Sequence, residues 1–525
     1  MGIHIIMDDK QIATQDVKVL HEMGYAQELS RSMGGFQNFA ISFSIICIMS
    51  GGINSLGQAT SGVGGAAIGI GWPVGCLMSL VFALGLAEIG SAYPTAGGLY
   101  HWGSILGNRF TGWLSAWLNL LGLVTVLGAI NIGTWYFLFG AFGPALGLED
   151  TLTMRVGFVA VITAIQALVN HFGIGLTMKL TDLAGYIIFA AAIALTLVCL
   201  AFAPSWDFSR LFTFTNYTGT EGASAVWPEV LPMGMAFLVG LLLPIYTITG
   251  YDASAHTAEE TKNAAMALPK GMVSSVLWSG LFGYLMLCAF VLMIPSMDDA
   301  AKQGWNVFFW AMGAQVPEAI RTPLYALIFV SQFLCGLATV TSVSRMLYAF
   351  SRDGGIPGVS GMLAKVSPSH RVPANAIWTG SILSVLFVWF TSLPQITIAG
   401  SPAYSIVVSC TVIFLFLSFA LPIALGFFAY GGPKWPTPGP WSMGGAVYRI
   451  VAILAMISMA LMFYAGIQAP NSWAGPITIG FILFSLLIWV LFEDRRFKGP
   501  PIGAEIARRQ AEIKAAEEAL DAASH

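Results

Sequence analysis

From about residue 36 to residue 492 the chain alternates between long apolar runs and short polar interruptions. A helix needs roughly 20 consecutive apolar residues to cross the hydrocarbon of a bilayer. Twelve runs reach that scale: 36–61, 68–92, 111–140, 152–170, 178–203, 229–257, 271–295, 323–350, 374–392, 403–429, 446–467 and 475–492. Longer polar stretches follow the fifth run (204–228), the seventh (296–322) and the eighth (351–373). The pattern predicts an all-α polytopic membrane protein with twelve transmembrane helices. It divides into an N-terminal segment (1–35), a ten-helix core (36–429), helices eleven and twelve (430–498) and a helical tail (499–525). The tail reads as a soluble helix with no task assigned.

Two runs carry a break at mid-depth. The first holds "MSGGINS", Met49 to Ser55, where adjacent glycines flanked by Ser50 and Asn54 weaken a helix. The sixth holds "PIYTITGYDASAHTAEE", Pro244 to Glu260. Pro244 removes a helical hydrogen bond and Gly250 lowers the cost of unwinding. Lipid offers no hydrogen bonds, so irregular backbone at that depth survives only where it lines a cavity. The breaks stand five helices apart, the spacing expected of a 5+5 inverted repeat whose halves each begin with a discontinuous helix. Half-helix N-termini offer bare N–H groups to a carboxylate, and unwound carbonyls offer acceptors to an ammonium or a cation. Close helix–helix contact at small residues is the plainer reading of the same glycines.

Composition agrees with the pattern. Of the 525 residues 56% are hydrophobic and 9% charged, against about 25% charged in a soluble domain, and mean hydropathy is +0.76. Continuous runs argue against a transmembrane β-barrel, which alternates in short segments. The net charge of −3 comes with no basic patch for nucleic acid. Cys47, Cys76, Cys199, Cys288, Cys335 and Cys410 all sit in apolar runs without metal spacing and read as small packing residues. The N-terminus lacks the apolar core of a signal peptide, and Ile6 stands where a myristoylation motif wants Ser or Thr.

Charge placement sets the orientation. With the N-terminus in the cytoplasm, only Arg155, Arg210, Lys302 and Arg321 fall outside, and every other lysine and arginine falls inside. Both termini are therefore expected in the cytoplasm, at the plasma (inner) membrane.

Four stretches, in order, carry a resemblance: "SGGIN" at 50–54, "AEIGSAYPTAGGLYHW" (Ala87 to Trp102), "TGYDASAHTAEET" (Thr249 to Thr261) and "SRMLYAFSRDGGIP" (Ser344 to Pro357). They resemble the amino acid–polyamine–organocation superfamily, and within it the amino acid/choline transporter family. The resemblance implies a LeuT-type fold with discontinuous helices 1 and 6. It also implies secondary active transport of amino acids, or amines such as 4-aminobutyrate, by alternating access. Choline or another organic amine is the alternative substrate. A substrate-sensing receptor with a transporter fold is the alternative of another class. A channel lacks support, because one chain with a pseudo-repeat shows no symmetric pore. No HExxH, GxSxG or P-loop pattern points to an enzyme.

On the matched positions, Ser50, Gly51 and Gly52 are expected to hold a substrate carboxylate on their N–H groups, with Ile53 and Asn54 bordering the site. Tyr246, Thr247, Ile248, Thr249 and Gly250 match the unwound stretch of helix six, with Tyr246 where an aromatic lid is common. Asp252 is an ionisable residue within a span, hence a functional candidate. It could attract an amine or carry a proton, but a structural or gating contact is the favoured reading, because the family pattern has an acid here whatever the substrate. Glu259 and Glu260 oppose the helix dipole and call for partners, with Arg345 and Arg352 as candidates for an inner gate. His256 reads as a polar group at the cytoplasmic mouth, and Glu88 as an anchor for the inner loop. Some proton-coupled relatives carry a lysine within helix five, and residues 183–203 contain none. Ala338, Thr341 and Ser342 share a helix face and offer a sodium site with carbonyls of Ser50 or Ile53. The expected coupling ion is Na+ or H+, with no other cofactor, and facilitated diffusion or exchange would need neither. An aromatic box for choline would draw on Trp135, Tyr136, Tyr246 and Tyr251. A polyamine would call for several facing acids, and only Asp252 lies mid-membrane, with Glu88 and Asp182 toward the inside. The expected partners are a small amine or amino acid substrate and the lipid bilayer.

Overall fold

A computed structural model describes residues 9–398, 401–501 and 504–524. The first eight residues, on which the leader and myristoylation readings bear, lie outside it. The described chain is helical apart from a two-residue antiparallel pairing, Thr397–Ile398 with Ser401–Pro402. In chain order the helices are α1 (Asp9–Glu22), α2 (Gly35–Ile45), α3 (Gly51–Asn54), α4 (Leu56–Thr60), α5 (Trp72–Ala92), α6 (Leu99–Leu106), α7 (Arg109–Leu146), α8 (Leu152–His171), α9 (Ile174–Ala201), α10 (Met233–Gly240), α11 (Leu242–Thr247) and α12 (Ala253–His256). Then follow α13 (Ala264–Met293), α14 (Met297–Ala301), α15 (Val307–Gln315), α16 (Glu318–Arg352), α17 (Ser360–Leu363), α18 (Ala374–Thr391), α19 (Ala403–Ala429), α20 (Gly445–Gly466), α21 (Ala474–Ile488), α22 (Asp494–Arg496) and α23 (Ala504–Ser524).

Among the described residues ten helical segments are long and apolar enough to cross a membrane. They correspond to ten of the twelve apolar runs. The remaining two runs are the ones with a break, now seen as α2–α3–α4 and α10–α11–α12. The protein is an integral membrane protein. Its outward faces agree: Tyr186 and Leu197 on α9, Phe390 on α18, Ile450 on α20 and Phe484 on α21 are exposed large apolar side chains, at home against lipid.

The interior is knit by polar side chains as well as by packing. Asn131 on α7 donates to Thr163 Oγ1 and Gln166 Oε1 on α8, both at 2.8 Å. Gln166 and Asn170 in turn donate to the Phe333 and Leu337 carbonyls of α16. Neutral donors of this kind satisfy carbonyls that lipid cannot. Both chain ends gather at one end of the bundle. Glu517 of α23 accepts from the Gln27 N–H and faces His21 Nε2, each at 2.8 Å. The tail is thus a docked helix.

Candidate functional site

The first break begins earlier than the glycines suggest. Helix α2 ends at Ile45, residues 46–50 are unwound, and Gly51 and Gly52 already lie in the turn of α3. The correction has a steric reason: the glycines serve approach rather than flexibility alone. A Cβ on Gly51 would lie 2.9 Å from Thr247 Cα, at the end of α11. The two breaks therefore abut. Gly250 has φ +105°, and a Cβ there would lie 2.2 Å from Ile45 Cγ2 at the end of α2.

Unwinding frees backbone donors. Among the described residues, the N–H groups of Gly52 and Ile53 meet no acceptor, and neither do those of Thr249, Gly250, Tyr251 and Asp252. These residues are buried, where an unpaired N–H costs about as much as a lost hydrogen bond. Asn54 Nδ2 lies against Gly133 of α7, and Tyr246 is half-buried against the same core. Polar side chains of α2 hold the second break in place. Ser42 Oγ donates to the Tyr251 carbonyl at 2.8 Å, and Asn38 Nδ2 donates to the Ser254 carbonyl at 2.9 Å.

Asp252 and His256 are both buried. Asp252 Oδ2 accepts from Asn119 Nδ2 of α7 at 3.1 Å and faces His256 Nε2 at 3.2 Å. Among the aromatic candidates, Tyr251 packs on Phe419. Trp135 donates to Asp150 at 2.8 Å and Tyr136 lies under Arg155, so both are engaged at the α7–α8 corner. Thr341 Oγ1 donates to Asn170 Oδ1 of α8 at 2.7 Å, while Ala338 packs with Ile41 and Ile45 of α2. Ser342 Oγ is buried without a partner among the described residues.

The four charges below the second break form two buried pairs. Arg345 grips Glu260 with two hydrogen bonds of 2.9 and 2.8 Å, and Arg352 grips Glu259 with two of 3.0 and 2.8 Å. The dipole objection to these acids is met by the fork geometry of arginine. The N-terminal segment completes this end. Tyr25 lies under the Arg352 guanidinium, 3.9 Å from ring centre to Cζ. Its hydroxyl donates to Asp353 Oδ2 at 2.6 Å. Burial, and then the facing Asp353 carboxylate, pushes that hydroxyl well above its ordinary pKa, so it remains a donor. Tyr100 donates to the same oxygen at 2.9 Å. Tyr25, Tyr100, Asp353 and Asn119 escaped the sequence reading. An asparagine inside an apolar run was the available signal for Asn119.

Glu88 at the end of α5 is fully buried. It accepts from Tyr430 Oη at 3.0 Å, from Ser442 Oγ and from the Met443 N–H at 2.6 Å. The carboxylate thus fastens the segment between α19 and α20. Glu88→Ala is expected to release it, so trypsin should cut after the exposed Lys434 faster than in the parent protein. Equal cleavage rates would refute that role.

Comparison with known proteins follows the same lines. A family model described as "Amino acid permease" matches residues 33–492. The chain is 30% identical to "Amino-acid permease BAT1" of Arabidopsis thaliana, over 94% of this chain and 97% of that one. It is 31% identical to "Amino-acid permease BAT1 homolog" of Oryza sativa subsp. japonica, over 92% and 94%. It is 26% identical to "Amino-acid permease 2" of Neurospora crassa, over 92% and 88%. Abutting breaks lined by bare backbone donors, in a chain matched along nearly its whole length, place it together with these relatives: it belongs to the amino acid permease family.

Proposed function

We propose that the protein is a secondary active transporter that carries amino acids, or amino-acid-like amines such as 4-aminobutyrate, by alternating access. The observation that carries the reading is the meeting of the two breaks. Gly52 and Ile53 present bare N–H groups at the start of α3, and Thr249 to Asp252 present more at the second break. Buried donors of this kind suit a carboxylate. Unwound carbonyls nearby suit an ammonium group. A zwitterion supplies both, and Tyr246 stands beside it as a lid.

In this reading the ten spans and the two broken segments make twelve, with the broken ones first and sixth. Residues 36–429 form the LeuT-type transport core and 430–498 add helices eleven and twelve. The Glu259–Arg352 and Glu260–Arg345 pairs close the cytoplasmic side, and both termini lie in the cytoplasm at the plasma membrane. The coupling ion is Na+, held by Ala338, Thr341 and Ser342, or H+.

Thermal unfolding of the purified protein tests the substrate class. Common amino acids, 4-aminobutyrate, choline and putrescine would each be added with and without sodium. A ligand that binds the folded state raises apparent stability by RT ln(1 + [L]/Kd). Stabilisation by an amino acid is the expected result. Stabilisation by choline alone would overturn the carboxylate placement.

A further inference from the structure

His256 lies between two acceptors, and this fixes how many protons the site holds. Its Nδ1 is 3.2 Å from the Ala96 carbonyl oxygen, and its Nε2 is 3.2 Å from Asp252 Oδ2. A carbonyl oxygen only accepts, so Nδ1 carries a hydrogen. The Nε2–Oδ2 contact then needs one more. It sits on Nε2, giving imidazolium and carboxylate, or on Oδ2, giving two neutral groups. Both forms hold the same number of protons.

Removing one proton from the pair sets a ring lone pair against an acceptor whichever tautomer remains: Nε2 against the Asp252 carboxylate, or Nδ1 against the Ala96 carbonyl oxygen. It also leaves a buried anion with only neutral donors, Asn119 Nδ2 among them. Such a group is costly at membrane depth. Asp252 Oδ1 is also buried and has no partner among the described residues. The pair is therefore built to be loaded while shut away, and to unload only when water reaches it.

The contacts of Ala96 say when that happens. The Ala96 carbonyl accepts from His256, and the Ala96 N–H donates to Glu259 Oε1 at 3.1 Å. Glu259 is the partner of Arg352. One residue, Ala96, thus joins the pair to the closing ion pair through its carbonyl and its N–H. Of the other titratable groups around it, Tyr251 has a buried hydroxyl without a partner among the described residues, and the rest are engaged. Glu260 pairs with Arg345, and His101 faces Thr95 and Tyr25. From α2 and α19 the facing groups are neutral: Asn38 and Ser42, and Ser418.

We propose that Asp252 and His256 form the proton site that couples transport to a proton gradient. This rests on the transporter reading above, and it selects H+ over Na+. One proton binds the pair while the site is open to the outside. When Glu259 and Arg352 part, Ala96 moves with Glu259 and His256 loses its Nδ1 acceptor. The Nδ1 hydrogen then passes to water on the cytoplasmic side, which leaves Nε2–H donating to the Asp252 carboxylate. The pair ends one proton poorer, and reloads after the return.

The test uses the full chain in sodium-free liposomes with a pH-sensitive dye in the lumen. Radiolabelled alanine, glutamate, arginine and 4-aminobutyrate serve as probes. Lumenal acidification is expected with whichever probe enters. In Asp252→Asn and His256→Gln the protons moved per amino acid should fall to background. An unchanged ratio in both variants would overturn the proposal, as would uptake that needs sodium and ignores an imposed pH gradient. If no probe enters with the parent protein, the transporter reading fails, and a second measurement still judges the site. Infrared difference spectra of purified protein would be taken between about pH 5 and pH 8. Histidine and carboxyl bands that titrate together in the parent, and vanish in each variant, support the pair. Their absence from the parent overturns it, whether or not the variants fold.

Discussion

Arg345→Met is expected to lower apparent stability by about 3–5 kcal/mol, the range for breaking a buried ion pair by removing one partner. Arg345 and Glu260 are both fully buried. The guanidinium holds both carboxylate oxygens and also reaches Ser344 Oγ at 3.0 Å. Met keeps much of the volume but leaves the Glu260 carboxylate without its cation. The same residue anchors the N-terminal segment, since its carbonyl accepts from the Ser32 and Met33 N–H groups at 3.0 and 2.8 Å. The loss should therefore spread to the α1–α2 connection. Arg345→Met combined with Glu260→Leu removes both charges and is expected to recover most of the loss, because apolar replacement of a whole pair is often neutral. Thermal unfolding of the two variants in detergent checks the difference. A single variant within about 1 kcal/mol of the parent would show the pair to be dispensable.

The contrast between single and double variants bears on what a sequence can reveal. The apolar runs located ten spans closely, since lipid exposure writes itself into composition over some twenty positions. Helix α13 begins at Ala264, earlier than residue 271, and carries Pro269 inside it. Both breaks were legible from glycine and proline, but the second lies at 248–252, so that Pro244, Tyr246 and Thr247 are helical in α11 and not in the unwound stretch. The onset of the first was not legible, because unwinding at 46–50 is set by how closely Gly51 must meet Thr247, across nearly 200 residues of chain. The pairing of the acids with the arginines was only half legible. A dipole argument demands partners for Glu259 and Glu260, but only the fold decides that Arg352 takes the first and Arg345 the second. The burial of His256 was not legible for a similar reason. Its burial depends on Ala96, in a turn that composition alone would leave in water. The sequence reading gave the N-terminal segment no packing role, yet Tyr25 and Arg31 are held inside, the latter by the Ala258 and Thr261 carbonyls at 3.1 and 2.7 Å.

Gly51→Ala and Gly250→Ala are each expected to weaken amino acid binding by roughly tenfold or more while the rest of the fold persists. The two act on the same junction from opposite sides. At Gly51 the new Cβ would stand 2.8 Å from Thr247 Oγ1 and 2.9 Å from Thr247 Cα. Backbone cannot swing aside as a side-chain tip does, so α3 and α11 must part. At Gly250 the obstacle is twofold: φ of +105° disfavours any L side chain, and Ile45 Cγ2 and Cβ lie 2.2 and 2.9 Å away. Forcing such a conformation costs about 1–3 kcal/mol, and 1.4 kcal/mol is a factor of ten in affinity. Gly52 supplies the control. A Cβ there meets nothing closer than Met286 Cε at 3.7 Å, an ordinary contact, and its N–H survives the change. Gly52→Ala should therefore unfold at the parent temperature. Stabilisation by a bound amino acid, measured on all three variants beside the parent, separates the cases. Undiminished stabilisation of both Gly51→Ala and Gly250→Ala would mean that substrate binds elsewhere. Loss confined to those two would tie recognition to the geometry at which the broken helices meet.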